Sequence, residues 1–461
     1  MRRLSKEGLR AVALVVVPAA VAALSALAGF DAWQCATLAT VALMLVGIAL
    51  YWEYKIPFAF LGLTLLFLMG SIDARGFVEY SHLDIIVFLA CMMIIVEYLE
   101  RAALFEHLVA ALARWVCRGA YSLVALFTFL TAAFSSLVGV VTAALFMVPM
   151  AMEVALKYSV DPTPLVMLVV FAANIGSSAT AVGNPVGILL AFEADLSFTD
   201  FVRWATPAAV VSLVACLLMA TWVFREELEE LNRAIVESPE KLMGAAGVES
   251  SELLKAWALF VAVMAGIALH GVLEDLLGID RSSALLAVAM TGATVVLFLR
   301  RREVGEILSE GVEWGVLLFF LFLFASVEAL ERIGLVEKVA GAVVAFSHGD
   351  PILLMFAVSA VAAALSAVLD NVLTVAFLIP VVRGLEVYGV NVQPLWWALL
   401  FAGTYAGNAT LIASTANMVA ASLMEARKAG RVDFFRWMRY GVPFTALPLL
   451  LAILLLAAQY H

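Results

Sequence analysis

Residues 96–106 (VEYLERAALFE) return as residues 327–337 (VEALERIGLVE), a shift of 231 in a chain of 461. Val96, Glu97, Leu99, Glu100, Arg101, Leu104 and Glu106 recur as Val327, Glu328, Leu330, Glu331, Arg332, Leu335 and Glu337. The spacing equals half the chain, so the fold must be built from two copies of one unit. Long apolar runs place both copies in a membrane. Apolar residues make up 65% of the chain and charged residues 14%, with a mean hydropathy of +1.05. A soluble domain carries roughly a quarter charged residues. Duplicated halves in a bilayer are a common way to build the two access states of a secondary transporter.

The expected architecture is an all-α polytopic membrane protein. About 11 transmembrane helices are expected, near 11–29, 33–51, 56–71, 83–99, 163–192, 203–223, 254–273, 282–299, 314–330, 395–420 and 437–458. The first run has no small-residue cleavage site and reads as an anchored helix, not a cleaved signal. Residues 121–152 carry no charge, and 351–382 carry only Asp370. Each stretch is too long for one crossing and tight for two, so each is read as a re-entrant hairpin.

Positive charge supports this topology. With the N-terminus in the cytoplasm and neither hairpin crossing, 21 of the 27 Lys and Arg fall inside. Only Arg75, Arg203, Arg281, Arg332, Lys338 and Arg383 fall outside, as the positive-inside rule asks. Five crossings then separate Glu97 from Glu328, so the copies insert with opposite orientation, as an inverted-topology repeat. The C-terminus is expected outside the cytoplasm. The domain reading is an extra helix over 1–32 and a first repeat over 33–223, with hairpin 121–156 and broken helix 163–192. A cytoplasmic linker over 224–253 leads to a second repeat over 254–461, with hairpin 351–385 and broken helix 395–420. The charges of the EELEEL segment are read as a solvated face.

Polar islands recur in register. The first hairpin reads AAFSSLVGVVTAALFMVPM (132–150) and the second AALSAVLDNVLTVAFLIPV (363–381), pairing Ser135 with Ser366 and Gly139 with Asp370. The next span is interrupted in both copies, by ANIGSSATAVGNPVGILL (173–190) and TYAGNATLIASTANMVAA (404–421). Gly, hydroxyl and amide residues with a proline do not hold a regular helix cheaply. Unwound backbone at membrane depth is tolerated where it is buried or lines a cavity, and its free carbonyls can ligate a cation. Small residues also let helices pack closely without any ligand. The four islands together favour a site.

Asp370 is the only ionisable group in either hairpin core. A carboxylate at mid-membrane costs about 2.5–3.5 kcal/mol, so it calls for a function or a partner. It is expected to hold Na⁺ or carry H⁺, and capping of the second hairpin arm is compatible with either role. Glu97, Glu100, Glu328 and Glu331 with Arg101 and Arg332 are read as ion pairs at the membrane interface. The formal charge of −10 and the lack of a basic stripe argue against nucleic acid. The cysteines (Cys35, Cys91, Cys117, Cys216) read as inert thiols, and the histidines show no metal-ligand spacing. There is no phosphate-binding loop and no nucleophile–base arrangement. No cofactor is expected beyond a coupling Na⁺ or H⁺. A passive channel would need a continuous polar stripe, which the sequence lacks.

Residues 366–374 (SAVLDNVLT) resemble the Ser-Ala-Phe-Leu-Asp-Asn-Val-Thr-Thr signature of arsenite permeases and sodium–proton antiporters. Residues 174–188 (NIGSSATAVGNPVGI) and 407–417 (GNATLIASTAN) are similar to the Gly-Asp-Pro-Pro and Gly-Ala-Ser-Ala-Asn segments of the same branch. DFVRW (200–204), echoed as DFFRW (433–437), also fits. The branch belongs to the ion transporter superfamily, with the dicarboxylate and citrate carriers. The resemblance implies scaffold and transport domains, a homodimer and an elevator-like motion, and it leaves association with an ATPase subunit open. Gly139 and Val140 replace an Asp-Asn in the first hairpin, Asn184 replaces an Asp, and Val186 replaces a Pro.

The expected function is secondary transport of a small ion or oxyanion-type solute coupled to Na⁺ or H⁺. The arsenite or Na⁺/H⁺ type is preferred, with a sodium-coupled dicarboxylate or citrate carrier as the alternative. The candidate site takes Ser135, Ser136, Thr142, Ser366, Asp370, Asn371 and Thr374 from the hairpins. From the broken helices it takes Asn174, Gly176, Ser177, Ser178, Thr180, Asn184, Gly407, Asn408, Thr410, Ser414, Thr415 and Asn417. Na⁺ is expected near Asp370 and the backbone of 174–184 and 407–417.

Overall fold

The computed structural model describes residues 6–51, 54–105, 107–108, 111–112, 119–238, 250–280, 283–347, 350–427 and 434–460. Among them every regular element is helical. In chain order these include α1 (Lys6–Leu27), α2 (Ala32–Leu50), α3 (Lys55–Leu68), α4 (Ala74–Tyr80) and α5 (Leu83–Arg101). The first hairpin is α6 (Ala120–Val138) and α7 (Val140–Lys157), and the first broken helix is α8 (Thr163–Gly176) and α9 (Pro185–Glu193). Then come α10 (Thr206–Val223), α11 (Arg225–Glu237), α12 (Ser250–Ala268), α13 (His270–Leu277), α14 (Ser283–Leu299) and α15 (Val304–Glu310). Next are α16 (Trp314–Arg332) and α17 (Leu335–Ser347), then α18 (Pro351–Ser366) and α19 (Asn371–Gly384) as the second hairpin. The second broken helix is α20 (Gln393–Ala406) and α21 (Thr415–Ala426), and α22 (Phe434–Gln459) closes the series.

Among the described residues nine helices are long and apolar enough to cross a membrane, or ten if the bent pair α4–α5 counts as one span. Length does not separate a crossing helix from a re-entrant arm. The arms α6 and α7 have 19 and 18 residues, about 28 Å each, and run past the charge-free stretch because Glu153 and Lys157 extend α7. Conversely α8 and α20 have 14 residues each, too few to cross alone.

The chain divides into two compact units. The first comprises Met1–Ala90, Glu313–Gly349 and Ala376–Val390. Here α2 packs on α1 and α3, and α16 packs on α3 and α4. Small residues set the α2–α3 distance: a Cβ on Gly47 would lie 2.2 Å from the Phe58 ring, and one on Gly62 would lie 2.8 Å from Met44. Such close approach drives helix association where lipid is as apolar as leucine. Asp31 caps α2 by accepting from the Gln34 amide, and Asp73 caps α4 by accepting from the Gly76 amide. Arg332 pairs with Asp73 at 3.4 Å.

The second unit comprises Cys91–Val312, Asp350–Val375 and Asn391–His461. Both arms of the first hairpin pack on α8, and α18 packs on α20 in the same way. The turn between α6 and α7 is Gly139 alone, at φ 100° and ψ 155°, an essentially glycine-only conformation that costs any other residue about 1–3 kcal/mol. All of α8 is buried, as is α20 from Pro394 to Ala406. A helix apolar on every side belongs in the middle of a bundle, and these two are the central rods of the unit. Helix α11 buries Leu228, Leu231 and Ile235, at i, i+3 and i+7, and leaves Glu226, Glu229 and Glu230 exposed. Of the expected linker, residues 239–249 lie outside the described set, as do Glu106 and Cys117. Cys35 and Cys216 are buried free thiols and Cys91 is half-buried.

Arg101 binds Glu97 at 2.6 Å, Glu306 at 2.8 Å and Glu303 at 3.4 Å. Its side chain is 25% exposed, so solvent screens the cluster. Arg101→Ala should therefore lower stability by only about 1 kcal/mol, read as a small shift in the thermal midpoint of the detergent-solubilised protein.

Candidate functional site

Every residue of the candidate site lies in the second unit. The hairpins and the broken helices are joined by the same hydrogen bonds in both copies. Ser135 donates to the Ala173 carbonyl at 2.6 Å, and its equivalent Ser366 donates to the Gly403 carbonyl at 3.0 Å. Thr180 donates to the Ser136 carbonyl, and its equivalent Thr410 donates to the Ala367 carbonyl at 2.7 Å. The serines tie the end of a hairpin arm to the last turn of the helix it lies against, and the threonines tie the following break back to the same arm. Four hydroxyls in equivalent roles are the structural record of the duplication.

Between the copies the contact is different. The Asn174 amide donates to Asn408 Oδ1 at 2.8 Å and to Asn417 Oδ1 at 3.1 Å. Asn174 Oδ1 accepts from Ser414 Oγ at 2.9 Å. The Asn417 amide donates to the Gly407 and Thr410 carbonyls at 2.6 and 2.7 Å. All of these side chains are buried, and a buried polar group that is fully paired holds a unique geometry. The two breaks therefore meet in one saturated network. The Gly407 and Thr410 carbonyls, expected to face a cation, each accept one hydrogen bond from Asn417. The equivalent position in the first copy is Gly187. A Cβ there would lie 2.7 Å from the Ala181 carbonyl oxygen and 3.1 Å from that of Thr180, so the first copy has no amide filling this corner.

The remaining residues of the first break are also placed. Asn184 Oδ1 accepts from the Val186 and Gly187 amides, capping α9, while its amide donates to Ser177 Oγ at 2.8 Å. Pro185 sits at the first helical position, where no amide donor is needed. Ser177 and Ser178 bond back to the Asn174 and Ile175 carbonyls. Gly176 is required by packing, since a Cβ on it would lie 2.4 Å from the Ala132 Cα. Gly176→Ala should push α6 from α8 and cost about 2 kcal/mol, measured as a lowered thermal midpoint. Thr142 and Thr415 are half-buried and take no part in the network.

Asp370 is 7% exposed. Its Oδ1 accepts from the Val372 amide at 2.9 Å, and the Asn371 side chain accepts from that amide too, so Asp370 caps α19. One turn on, Thr374 is buried, and its hydroxyl has no hydrogen-bond partner among the described residues. In the first copy the equivalent positions are Gly139 and Ala143. The sequence reading omitted three residues of this core. The Tyr405 hydroxyl is 3.3 Å from Ser178 Oγ, Trp437 donates to the Asn408 carbonyl at 2.9 Å, and Thr445 donates to the Tyr405 carbonyl at 3.2 Å. The DFVRW/DFFRW echo pointed to Trp437, but its counterpart Trp204 instead stacks on Tyr460.

Comparison with known proteins places this arrangement. The chain matches the family described as citrate transporter (CitMHS) over residues 48–402 and again over 277–460. It belongs to the citrate transporter family. An uncharacterized transporter of Mycobacterium tuberculosis is 31% identical over 85% of this chain and 90% of its own length. The silicon efflux transporter LSI3 of rice is 24% identical over 84% and 89%. Among solved structures the YdaH transporter of Alcanivorax borkumensis aligns with a TM-score of 0.60 at 16% identity. That alignment covers 86% of this chain and 88% of that one, and it is a likeness of fold. This citrate transporter family member is thus a multi-pass, all-helical membrane transporter of the secondary type.

Proposed function

We propose that the protein moves a small, oxygen-rich acid across the membrane in exchange or symport with Na⁺ or H⁺. The observation that carries this reading is the pair Asp370 and Thr374 on the second hairpin. The other polar islands largely bond one another, whereas here a buried carboxylate lies one turn from a buried hydroxyl with no partner among the described residues. Buried polar groups left unpaired are where an ion or solute completes the hydrogen bonding. Asp370 would take the coupling ion. The solute would sit against Thr374 and the hairpin tips, with Ser136, Thr142 and Asn371 nearby in sequence. The unit holding all of these residues is the candidate moving body of an elevator-like cycle, and a homodimer is the expected assembly.

Two substrate classes have specific support. The family favours a citrate-type organic acid. The arsenite-permease likeness, the rice silicon transporter and the carboxylate of Asp370 favour an acid that is uncharged at neutral pH, such as arsenous or silicic acid. An ionised Asp370 repels a carboxylate unless a cation lies between them. Proteoliposomes with an internal pH dye, given Na⁺, citrate, arsenite and silicic acid in turn under a set gradient, separate the classes. Solute-dependent proton or sodium flux with one class is the expected result. Solute uptake that ignores both gradients would leave a passive pathway and end the proposal.

A further inference from the structure

A polar cavity of ≈ 230 Å³ lies among residues that belong to neither hairpin nor broken helix. It forms where α12 begins and α14 ends, against the last turn of α5. Tyr98, Glu252, Lys255, Arg300, Arg301 and Arg302 line it, with Leu299 and Glu303 at its edge. The charges do not cancel. Glu252 is engaged by Lys255 at 2.7 Å and by Arg300 at 3.1 Å, and Arg300 also reaches Glu303 at 3.4 Å. The lining thus holds two acids against four cations, of which the exposed Arg301 and Arg302 are in excess.

The second observation is Tyr98. It is 1% exposed, the Arg300 guanidinium lies 5.6 Å from its ring centroid, and its hydroxyl has no hydrogen-bond partner among the described residues. A buried hydroxyl without a partner costs free energy that a bound acceptor recovers. The third observation is apolar. Leu254, Phe298 and Leu299, adjacent in chain to the lining residues, are exposed, Phe298 by 77%. Excess cations in the cavity and exposed apolar side chains next to its lining residues in the chain have the two chemistries of a phospholipid.

We infer that this cavity binds the phosphate headgroup of an anionic phospholipid, with the acyl chains lying along Leu254, Phe298 and Leu299. Arg301 and Arg302 supply the charge, and the Tyr98 hydroxyl donates to a phosphate oxygen. The site is separate from the transport site and would hold α12 and α14 in register with the membrane surface.

The test uses the full chain, delipidated in neutral detergent. Binding of dioctanoyl-phosphatidylglycerol, dioctanoyl-phosphatidylcholine and inorganic phosphate is followed by the shift in thermal midpoint and by native mass spectrometry. Phosphatidylglycerol should stabilise saturably, and the other two should not at the same concentration. Replacing both arginines (Arg301→Ala with Arg302→Ala) should weaken phosphatidylglycerol binding by about thirtyfold, at roughly tenfold or less per basic residue. Tyr98→Phe should weaken it by about fivefold without lowering the unliganded midpoint, because the hydroxyl has no partner to lose among the described residues. Equal stabilisation by phosphatidylcholine, competence of inorganic phosphate alone, or full binding by both variants would each overturn the inference.

Discussion

Asp370→Asn should reduce ion-driven uptake by about a hundredfold while leaving the protein folded and inserted. An interaction with an ionised group is worth about 1.5–3 kcal/mol, and each 1.4 kcal/mol is a factor of ten. The amide preserves what Asp370 does for the fold. Its oxygen can still accept from the Val372 amide, as Oδ1 now does at 2.9 Å, and Asn caps a helix about as well as Asp. Only the charge is lost. The variant's thermal midpoint should match the parent's, and the pH dye or a sodium probe should report almost no solute-coupled flux. Asp370→Ala makes the contrast, losing the cap as well, at about 1 kcal/mol. Unchanged coupled flux in Asp370→Asn removes this carboxylate from the mechanism.

The second large effect is expected at Asn174. Asn174→Leu deletes three hydrogen bonds, to Asn408, Asn417 and Ser414. Side-chain bonds inside membrane proteins average about 0.6 kcal/mol, so the bonds alone account for roughly 2 kcal/mol. The partners left behind are buried, and stranded buried polar groups cost about 1–3 kcal/mol each. With one such group left without a replacement partner the loss is about 3–5 kcal/mol, a large part of the 5–15 kcal/mol that holds a typical protein folded. The variant should lose monodispersity on size-exclusion chromatography and unfold at a much lower temperature. A thermal midpoint within a degree or two of the parent's would show that the network is not what joins the two broken helices.

The elements were legible in the sequence where chemistry forces a break. Gly139 allows a one-residue hairpin turn, Pro185 after Asn184 restarts a helix, and the glycines and hydroxyls between Gly176 and Gly183 interrupt one. The repeat also carries over to contacts within each copy, as the matched bonds of Ser135 with Ser366 and Thr180 with Thr410 demonstrate. Contacts between copies were not legible. Asn174 meets Asn408 and Asn417, whereas its equivalent by repeat is Thr404, which bonds to its own helix at the Leu400 carbonyl. An internal repeat pairs positions by descent, not by proximity. Tyr405 was hidden for another reason: an aromatic ring in an apolar run reads as bulk, and only coordinates show where its single polar atom points. The first hairpin, expected over 121–156, occupies 120–157, since helix α7 runs through Glu153 and Lys157. The polar islands were found, but their residues divide into two kinds the sequence does not distinguish: those that bond each other, as Asn174 and Asn417 do, and those, like Thr374, that do not.

The central claim is that one module was duplicated with opposite orientation in the bilayer. His107 and Lys338 are 231 residues apart and so occupy the same place in the two copies. In a background with Cys35, Cys91, Cys117 and Cys216 replaced, His107→Cys and Lys338→Cys are labelled with a membrane-impermeant thiol reagent on intact cells. Lys338→Cys should react from outside, and His107→Cys should react only after the membrane is opened. Labelling of both from the same side would contradict an inverted pair and the alternating access built on it.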